Sequence, residues 1–455
     1  MTISTRLTLL ALACAALVAP MAQAAVTAQE AAQLKSTLTP MGAERAANKD
    51  GTIPAWDGGY PFDASYTSPA IPDLFAKDKP LFTITAHNEK QYADNLTDGT
   101  VALLEKFSNF KVEVFPTRRT AAAPQWVYDN TFANATRATI DPSGVLGPFP
   151  KDAYGGIPFP IPKTGEEAIW NHLLRWTTPG YTTTPSLARI TPEGKIIPVS
   201  QNVARSTFPY YDPKGNLESW KAAGSNIKFV RVDASGPPIH AGEITLQRVN
   251  IDDNESKTWT YLTGQRRVRR LPLTCCDVPS PVAGGILNFD ETEVYSNSIG
   301  RYDWKLEGKR EIYVPYNTNS YHQAASLDQL MTAGTVNPDF LRFEKHRVWV
   351  VEATLKQDQR HVVPHLRLYL DEDTWIAVAG ERYDAQGKIW KVTFNFPTVF
   401  PGGPGTIVAG YMSYDLIGGG YFATAYFPQK TQVDLKADLP LRLFTPEALS
   451  GEGVR

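Results

Sequence analysis

The sequence predicts an α+β protein in which a large antiparallel sheet contains most of the chain and the helices are few and short. Of the 455 residues, 42% are hydrophobic, which is enough apolar surface to bury a core and excludes a fully disordered chain. The 35 prolines exceed their usual share of about 5% and limit long helices. Four runs of alternating polarity between positions 345 and 400 predict consecutive antiparallel strands.

The charge balance excludes one class of function. The chain has 45 Lys and Arg against 47 Asp and Glu, and its formal net charge is -2. A protein that binds nucleic acid needs a basic surface to displace the counterions of the phosphate backbone. We therefore expect no nucleic-acid partner.

Residues 1–24 predict a cleaved signal peptide. Arg6 is a short positive region, residues 7–19 are an apolar run below the ~20 residues of a membrane span, and Ala22-Gln23-Ala24 is an A-x-A cleavage site. Cys14 offers a lipoprotein anchor as the alternative, but it lies inside the apolar run. The sequence therefore favours export to the periplasm with cleavage after Ala24, and outer-membrane association stays open.

The mature chain keeps only Cys275 and Cys276, so its core is expected to depend on burial and not on a disulfide framework. Adjacent cysteines can form a vicinal disulfide, bind a soft metal or pack as small apolar residues. No further ligand lies nearby at zinc-site spacing, so packing or a vicinal bridge is favoured and no metal site is predicted.

The N-terminal part is predicted to form short helices and ordered loops that lie on the sheet. Thr27 and Glu30 form a capping box before a helix that reaches about Leu34. Residues 51–63 combine turn formers with aromatic residues, which is typical of an ordered surface loop. A helical pattern returns over residues 88–107, with a break near Asp98-Gly99.

Residues 141–163 are too rich in proline and glycine for a regular element and predict a segment boundary. Thr164 and Glu167 then form a second capping box before a helix over residues 168–176. The predicted division is an extension over residues 25–150, a main sheet domain over residues 151–428 and a tail over residues 429–455.

Strands dominate after that helix. Residues 190–199 predict a hairpin, and residues 228–232, 242–249 and 258–262 alternate in polarity. The strongest pattern is a four-stranded meander over residues 346–354, 361–370, 374–383 and 388–396, in which residues 384–387 form the clearest turn.

Alternation along the meander predicts one apolar face, which short helices cannot cover completely. We expect this face to line a cavity for a hydrophobic ligand, although a register error of one residue would exchange the faces. The predicted lining residues are Trp349, Val351, Leu366, Leu368, Ile376, Val378, Trp390, Val392, Phe394 and Phe396.

No pattern in the sequence indicates catalysis, a metal site or a cofactor. His361 and His365 lie about 13 Å apart on an extended strand at about 3.4 Å per residue, which is too far to share one zinc ion. Asp371 and Asp373 fall in a predicted turn and are expected to be solvated. The glycine-rich stretches do not open helices in the manner of phosphate-binding loops.

A cluster of four arginines lies in the stretch GQRRVRRLP, which begins at Gly264. One interpretation is a sheet face on which acidic residues neutralise the arginines. The other is a docking site for an anionic head group or a partner at the mouth of an apolar cavity. The cluster consists of Arg266, Arg267, Arg269 and Arg270.

Long stretches of the chain resemble an exported proteobacterial family, domain-of-unknown-function family 1329, which is similar to outer-membrane lipoprotein-sorting proteins. The stretches are GTIPAWDGG from Gly51, GIPFPIPKTGEEAIWNHLLRW from Gly156, GQRRVRRLP from Gly264, RYDWKLEGKREIYVPYN from Arg301 and RLYLDEDTW from Arg367. The resemblance implies the fold of the periplasmic lipoprotein carriers, in which a curved antiparallel sheet forms an incomplete barrel with short helices as a lid. It also implies partners, namely an inner-membrane efflux-type exporter and an outer-membrane β-barrel protein, and it supplies no catalytic residues.

The leading hypothesis is a periplasmic carrier or binding protein for a lipid or another hydrophobic molecule. One alternative is an exported hydrolase for esters or polysaccharides, suggested by export and by the 11% of aromatic residues. The other is an envelope adaptor without catalytic activity, which would dock through the arginine cluster and the loop around Trp56.

Overall fold

The fold is described from a computed structural model that covers residues 26–271, 276–280, 283, 285–430, 432–435 and 439–452. The predicted signal peptide and Cys275 lie outside the described residues. Cys276 is disulfide-bonded and buried. Among the described residues, no helix combines the length and the apolar character that crossing a bilayer requires.

The described strands vary from three to fourteen residues in length. In chain order they are β1 Phe82–Ile84, β2 Val112–Val114, β3 Thr139–Asp141, β4 Phe149–Lys151, β5 Gly180–Thr183, β6 Ser186–Ile190, β7 Ile196–Thr207, β8 Asn226–Gly236, β9 Ile244–Asn250, β10 Lys257–Leu262, β11 Arg267–Leu271, β12 Tyr302–Pro315, β13 Phe343–Leu355, β14 His365–Asp371, β15 Ala377–Tyr383, β16 Ile389–Val399, β17 Thr406–Asp415 and β18 Tyr421–Ala425.

Sixteen of these strands form one sheet with the order β1-β2-β13-β14-β15-β16-β17-β18-β6-β7-β8-β9-β10-β11, in which β12 also pairs with β13 and β5 also pairs with β7. The two ends of this path, β1 and β11, do not pair with each other, so the sheet is an incomplete barrel. The predicted α+β fold is confirmed. The predicted meander is confirmed as well, because β13 to β16 are consecutive antiparallel neighbours.

The helices are short, as the proline content predicts. They are α1 Ala28–Ala32, α2 Asp98–Lys106, α3 Gln125–Arg137, α4 Gly165–Leu173, α5 Leu217–Ala222, α6 Leu327–Leu330 and α7 Pro446–Glu452. The predicted capping box of α1 is confirmed, since Thr27 and Glu30 each accept a hydrogen bond from the other's backbone N–H. At α4 only the N-cap half is present, because Thr164 accepts a hydrogen bond from Glu167 N–H whereas the Glu167 carboxylate accepts one from Lys163 N–H. Helix α3 was not predicted, because its mixed polarity gives only a weak helical pattern.

Both faces of the meander are buried, and this corrects the predicted single apolar face. One face packs against α2, and we call it the α2 face; the other packs against α4, and we call it the α4 face. A β-bulge between Tyr369 and Leu370 shifts the register, so the residues of β15 that lie opposite Leu368 and Leu370 are Gly380 and Ala377. Gly380 in turn lies opposite Thr393 of β16, so the next residue, Phe394, faces the other way from Leu368. Leu366 and Leu368 face α4, whereas Val378 and Phe394 face α2.

The predicted division into segments stays a prediction. Strands β1 and β2, from the predicted N-terminal extension, pair within the same sheet as the strands of the predicted main domain. Residues Phe444 and Leu449, from the predicted tail, pack on β9 and β10.

Candidate functional site

The ten predicted lining residues do not lie together around a hollow. Five of them pack on the α2 face, and five pack on the α4 face. All are fully buried except Trp349 and Trp390, which are half-buried. Those on the α2 face are Ile376, Val378, Val392, Phe394 and Phe396, and those on the α4 face are Trp349, Val351, Leu366, Leu368 and Trp390. None of the ten lines the cavities described below, so their role in ligand binding stays a prediction.

A cavity of about 510 Å³ lies elsewhere, over the inner face of strands β8 to β11. Its opposite wall consists of Trp170 and Leu173 from α4 and of residues from the segment 289–298. The strand residues that line it include Lys228, Gln247, Val249, Thr258 and Leu271. A cavity of this size is within the range of about 300–1,000 Å³ that small-molecule sites occupy.

Strand register explains why these residues share one face. Lys228 lies opposite Val249, while Gln247 lies opposite Thr258, which in turn lies opposite Leu271. Cross-strand partners project to the same side of a sheet, so this row faces the cavity. The other side of the same strands is closed by the C-terminal segment, where Ile244, Leu246, Tyr261, Phe444 and Leu449 form a buried cluster.

Lys228 is one of four charged residues that line the cavity, together with Arg248, Asp253 and Arg270. Burial lowers the pKa of its ammonium group, and the charge of Glu293 opposes this shift only in part. Within the described part of the chain, the Lys228 side chain forms neither a hydrogen bond nor an ion pair, whereas Glu293 pairs with Arg175. The cavity therefore contains a cation that lacks a protein partner among the described residues.

Asp253 is a second polar group in the cavity wall. Burial raises the pKa of its carboxyl group. Its Oδ2 atom is buried and finds no hydrogen-bond partner among the described residues. A buried polar atom without a partner is costly and indicates a position that a bound molecule can satisfy.

The arginine cluster lies on β11 and on the turn that precedes it. All four side chains are exposed, and β11 is an end strand of the sheet. No described residue forms an ion pair or a side-chain hydrogen bond with any of them, so the interpretation as a neutralised sheet face finds no support there. Arg270 also lines the cavity, next to Leu271.

The carboxylates of the DEDTW stretch are buried, which corrects the prediction that they are solvated. Asp373 accepts hydrogen bonds from Arg119 at 2.7 and 2.9 Å, and Glu372 pairs with Arg347 at 2.6 Å. The surrounding strands bring these groups together because β14 ends inside the packed sheet and its last residue, Asp371, is fully buried. Sequence reasoning missed this cluster because the charged residues alone resemble an exposed turn.

His346, Asp371 and Asp373 place possible metal-ligand atoms within 4.8 Å of one another. Both oxygens of Asp373 already accept hydrogen bonds from the Arg119 guanidinium, which holds a positive charge where a metal ion would be needed. His346 is also engaged, since its Nε2 lies 3.1 Å from Oε2 of Glu344 and its ring stacks on Tyr316. We therefore interpret this cluster as a structural ion network.

His361 and His365 have separate partners. His361 bonds to Asp290 at 2.9 Å between Nε2 and Oδ2, and His365 bonds to Glu352. Among the described residues, neither His361 nor His365 belongs to a group of side chains that could hold a metal ion together.

A second cavity of about 450 Å³ has aromatic and proline walls, with Phe62, Trp126 and Trp176 among its lining residues. None of its lining residues is charged. Lys228 distinguishes the first cavity, because a cation can hold the polar end of a ligand in a fixed place.

The family model described as "Protein of unknown function (DUF1329)" matches residues 83–450. The chain belongs to the DUF1329 family. An uncharacterized protein of Pseudomonas aeruginosa is 36% identical to it over 452 residues, which cover 96% of each chain.

Solved structures are similar to parts of this DUF1329 chain. A DUF1329 family protein from Desulfovibrio piger matches with a TM-score of 0.41 and 13% identity, over 60% of this chain and 92% of its own. A LolA superfamily protein from Nitrosomonas europaea matches with a TM-score of 0.36 and 14% identity, over 63% of this chain and 100% of its own.

Proposed function

We propose that this protein is a periplasmic carrier for an amphiphilic molecule with an apolar chain and an anionic head group. The observation that supports this proposal is the cavity of about 510 Å³ that combines aliphatic and aromatic walls with the unpartnered ammonium group of Lys228. The predicted signal peptide supports the location. No catalytic residue enters the proposal.

The apolar walls supply the affinity in this proposal. Burying one CH₂ group gains about 0.8 kcal/mol, so an acyl chain with a dozen such groups gains roughly 10 kcal/mol before the costs of association. Trp170, Leu173, Val249 and Leu271 offer the side chains on which such a chain would pack.

Lys228 supplies the orientation. Its ammonium group is partly desolvated before a ligand arrives, so a carboxylate or phosphate that enters the cavity gains a charge-assisted hydrogen bond at a small further desolvation cost. Such a bond contributes about 1.5–3 kcal/mol, which corresponds to roughly 10- to 100-fold in affinity. We expect the bound anion to raise the pKa of Lys228.

The test compares two fluorescent probes that share one chain, an anthroyloxy-labelled fatty acid and its methyl ester. We expect Lys228→Gln to weaken binding of the acid by roughly 10- to 100-fold and to leave binding of the ester nearly unchanged. Lys388→Gln, which removes an exposed lysine in the turn before β16, is the matched control and should bind both probes like the wild type. Val249→Trp fills the cavity and should weaken binding of both probes.

Organic extraction of the purified protein and mass spectrometry of the extract provide the second readout. We expect a co-purifying amphiphile from the wild type and less of it from Val249→Trp. If the wild type binds neither probe and releases no lipid, the proposal is wrong. If the wild type and Lys228→Gln bind the acid equally well, Lys228 does not bind the head group and that part of the proposal is wrong.

The partners also belong to the proposal. Passage of an amphiphile between an inner-membrane exporter and an outer-membrane β-barrel protein would require a shuttle in the aqueous space between them. Crosslinking in intact cells, followed by identification of the captured membrane proteins, tests this step.

A further inference from the structure

We propose that the hairpin end of strands β8 to β11 docks on an anionic lipid membrane. The docking surface consists of the β8–β9 turn, residues 237–243, together with the β10–β11 turn and the arginines of β11, residues 263–270. This inference rests on the proposed carrier function for its purpose, which is the exchange of cargo with a bilayer.

The two turns lie side by side at one end of the sheet. Ile244, the first residue of β9, lies opposite both Asp233 near the end of β8 and Tyr261 near the end of β10. The turns also approach each other directly, since a Cβ atom on Gly242 would lie 2.8 Å from Cγ2 of Thr263. They therefore present one continuous surface.

The positive charge of this surface is not neutralised by the described acids. Arg266, Arg267, Arg269 and Arg270 are exposed and have no ion pair with any residue that the structure describes. The nearby acids have other partners. Asp233 pairs with Arg205 and Arg231, and Glu243 lies 3.1 Å from His240.

The surface also contains an apolar anchor. Ile239 is 79% exposed in the β8–β9 turn, where it follows Pro237 and Pro238. An exposed aliphatic side chain beside a cluster of arginines is suited to membrane binding, which depends on buried apolar area together with attraction to anionic lipids. This combination favours a membrane over an acidic protein, because a bilayer accepts the projecting Ile239 without a preformed pocket, whereas a protein partner would have to supply one that matches it.

The docking surface continues into the cavity. Arg270 belongs to both, and Leu271 follows it into the cavity wall. Every second side chain of β11 projects to the same side of the sheet, and on the cavity side these are Arg267, Arg269 and Leu271. A row of basic side chains therefore runs from the turn to the cavity. An anionic head group can follow this row while its chain leaves the bilayer.

The experiment measures co-flotation of the full mature protein with vesicles of phosphatidylcholine alone and of phosphatidylcholine mixed with phosphatidylglycerol. We expect the wild type to float with the mixed vesicles and to lose this binding at about 1 M salt, where the screening length falls to about 3 Å. Each arginine near an anionic surface contributes about fivefold to partitioning. The variant with all four arginines replaced by glutamine should therefore lose binding to the mixed vesicles.

A matched control removes four exposed lysines that lie elsewhere on the chain, and it has the same net charge as the arginine variant. They are Lys49, Lys77, Lys90 and Lys388. This control should float like the wild type, and Ile239→Ser should weaken binding at unchanged charge. Equal losses in the lysine and arginine variants would show a net-charge effect and overturn the docking surface.

Binding of the fluorescent fatty acid in solution, without vesicles, separates this inference from the carrier function. Because Arg270 lines the cavity, this comparison uses a variant in which only Arg266, Arg267 and Arg269 are replaced by glutamine. If that variant binds the probe normally and fails to float, the result supports docking and shows that the variant is folded. A wild type that binds the probe and does not float overturns the docking inference alone. If the wild type floats with the vesicles but does not bind the probe, the carrier function is wrong and the membrane-docking surface is still supported.

Discussion

His172 should make the stability of this protein sensitive to acid, because its neutral imidazole joins both walls of the cavity to the sheet. Its Nδ1 accepts a hydrogen bond from the backbone N–H of Ala377 at 3.0 Å, and its Nε2 lies 2.9 Å from the carbonyl oxygen of Tyr295. Nδ1 also lies 3.1 Å from the carbonyl oxygen of Trp375. The neutral tautomer with Nδ1 as acceptor and Nε2 as donor satisfies both the Ala377 N–H and the Tyr295 carbonyl oxygen. His172 is itself part of α4, whose neighbouring residues Trp170 and Leu173 line the cavity.

Burial lowers the pKa of His172 to about 3, with the charge of Arg175 as a smaller cause. In the unfolded chain the pKa of His172 is about 6.5. Below that pH the imidazole is protonated in the unfolded state and stays neutral in the folded state. The stabilising contribution is complete above pH 6.5 and is lost as the pH falls toward 3. At about 1.4 kcal/mol per pH unit, the loss between pH 6.5 and pH 4 is roughly 3 kcal/mol.

The assay is urea unfolding at a series of pH values between 7 and 4. His172→Gln keeps one acceptor and one donor but does not titrate, so we expect its free energy of unfolding to fall by roughly 3 kcal/mol less than that of the wild type over this range. A remaining acid sensitivity is expected from His322, whose pKa burial also lowers to about 3.

His87→Gln, which replaces an exposed histidine, is the control and should leave the pH dependence unchanged. Any loss of packing in the His172→Gln variant is the same at every pH and cancels in the slope. If the wild type and His172→Gln lose stability in parallel, the reasoning about the buried neutral imidazole is refuted.

Two further predictions concern the buried ion network. Burial raises the pKa of Asp371 to about 6, with the charge of Asp373 as a further cause, so its contribution is complete below pH 3.8 and is lost as the pH rises through 6. Between pH 4 and pH 7 the free energy of unfolding of Asp371→Asn should rise by roughly 2 kcal/mol relative to that of the wild type. A difference that stays constant over this range in urea unfolding would contradict this. Arg119→Met leaves the Asp373 carboxylate buried without its cation and should cost about 3–5 kcal/mol at pH 7. A cost below about 1 kcal/mol would contradict the network, because only exposed pairs contribute so little.

Local signals in the sequence predicted many of the helices and strands. The N-cap residues Thr27 and Thr164 marked the starts of α1 and α4, because a side-chain cap acts within one helical turn. Alternation predicted β8, β9 and β10 as well as the meander, since a strand with one buried face needs a period of two. These signals depend on neighbours a few residues apart.

The position of the cavity could not be predicted in the same way. The bulge between Tyr369 and Leu370, together with the pairing of Gly380 with Thr393, divides the predicted lining residues between two faces, and both faces are covered by protein. The hollow lies instead over β8 to β11. The sequence contains one signal for the position of this cavity. Lys228 lies on the same side of its predicted strand as Val230 and Val232, and a lysine is unexpected in a row of apolar residues.

The sequence by itself determined the class of fold, the short helices, the antiparallel meander and the charged cluster of β11. Only the tertiary structure decided which sheet face is filled, where Lys228 points relative to α4, and that the DEDTW acids are buried beside Arg119. The physical reason is that caps and alternation are local properties of the chain. Burial and pairing arise from contacts between residues hundreds of positions apart, and a shift of one residue in strand register reverses them.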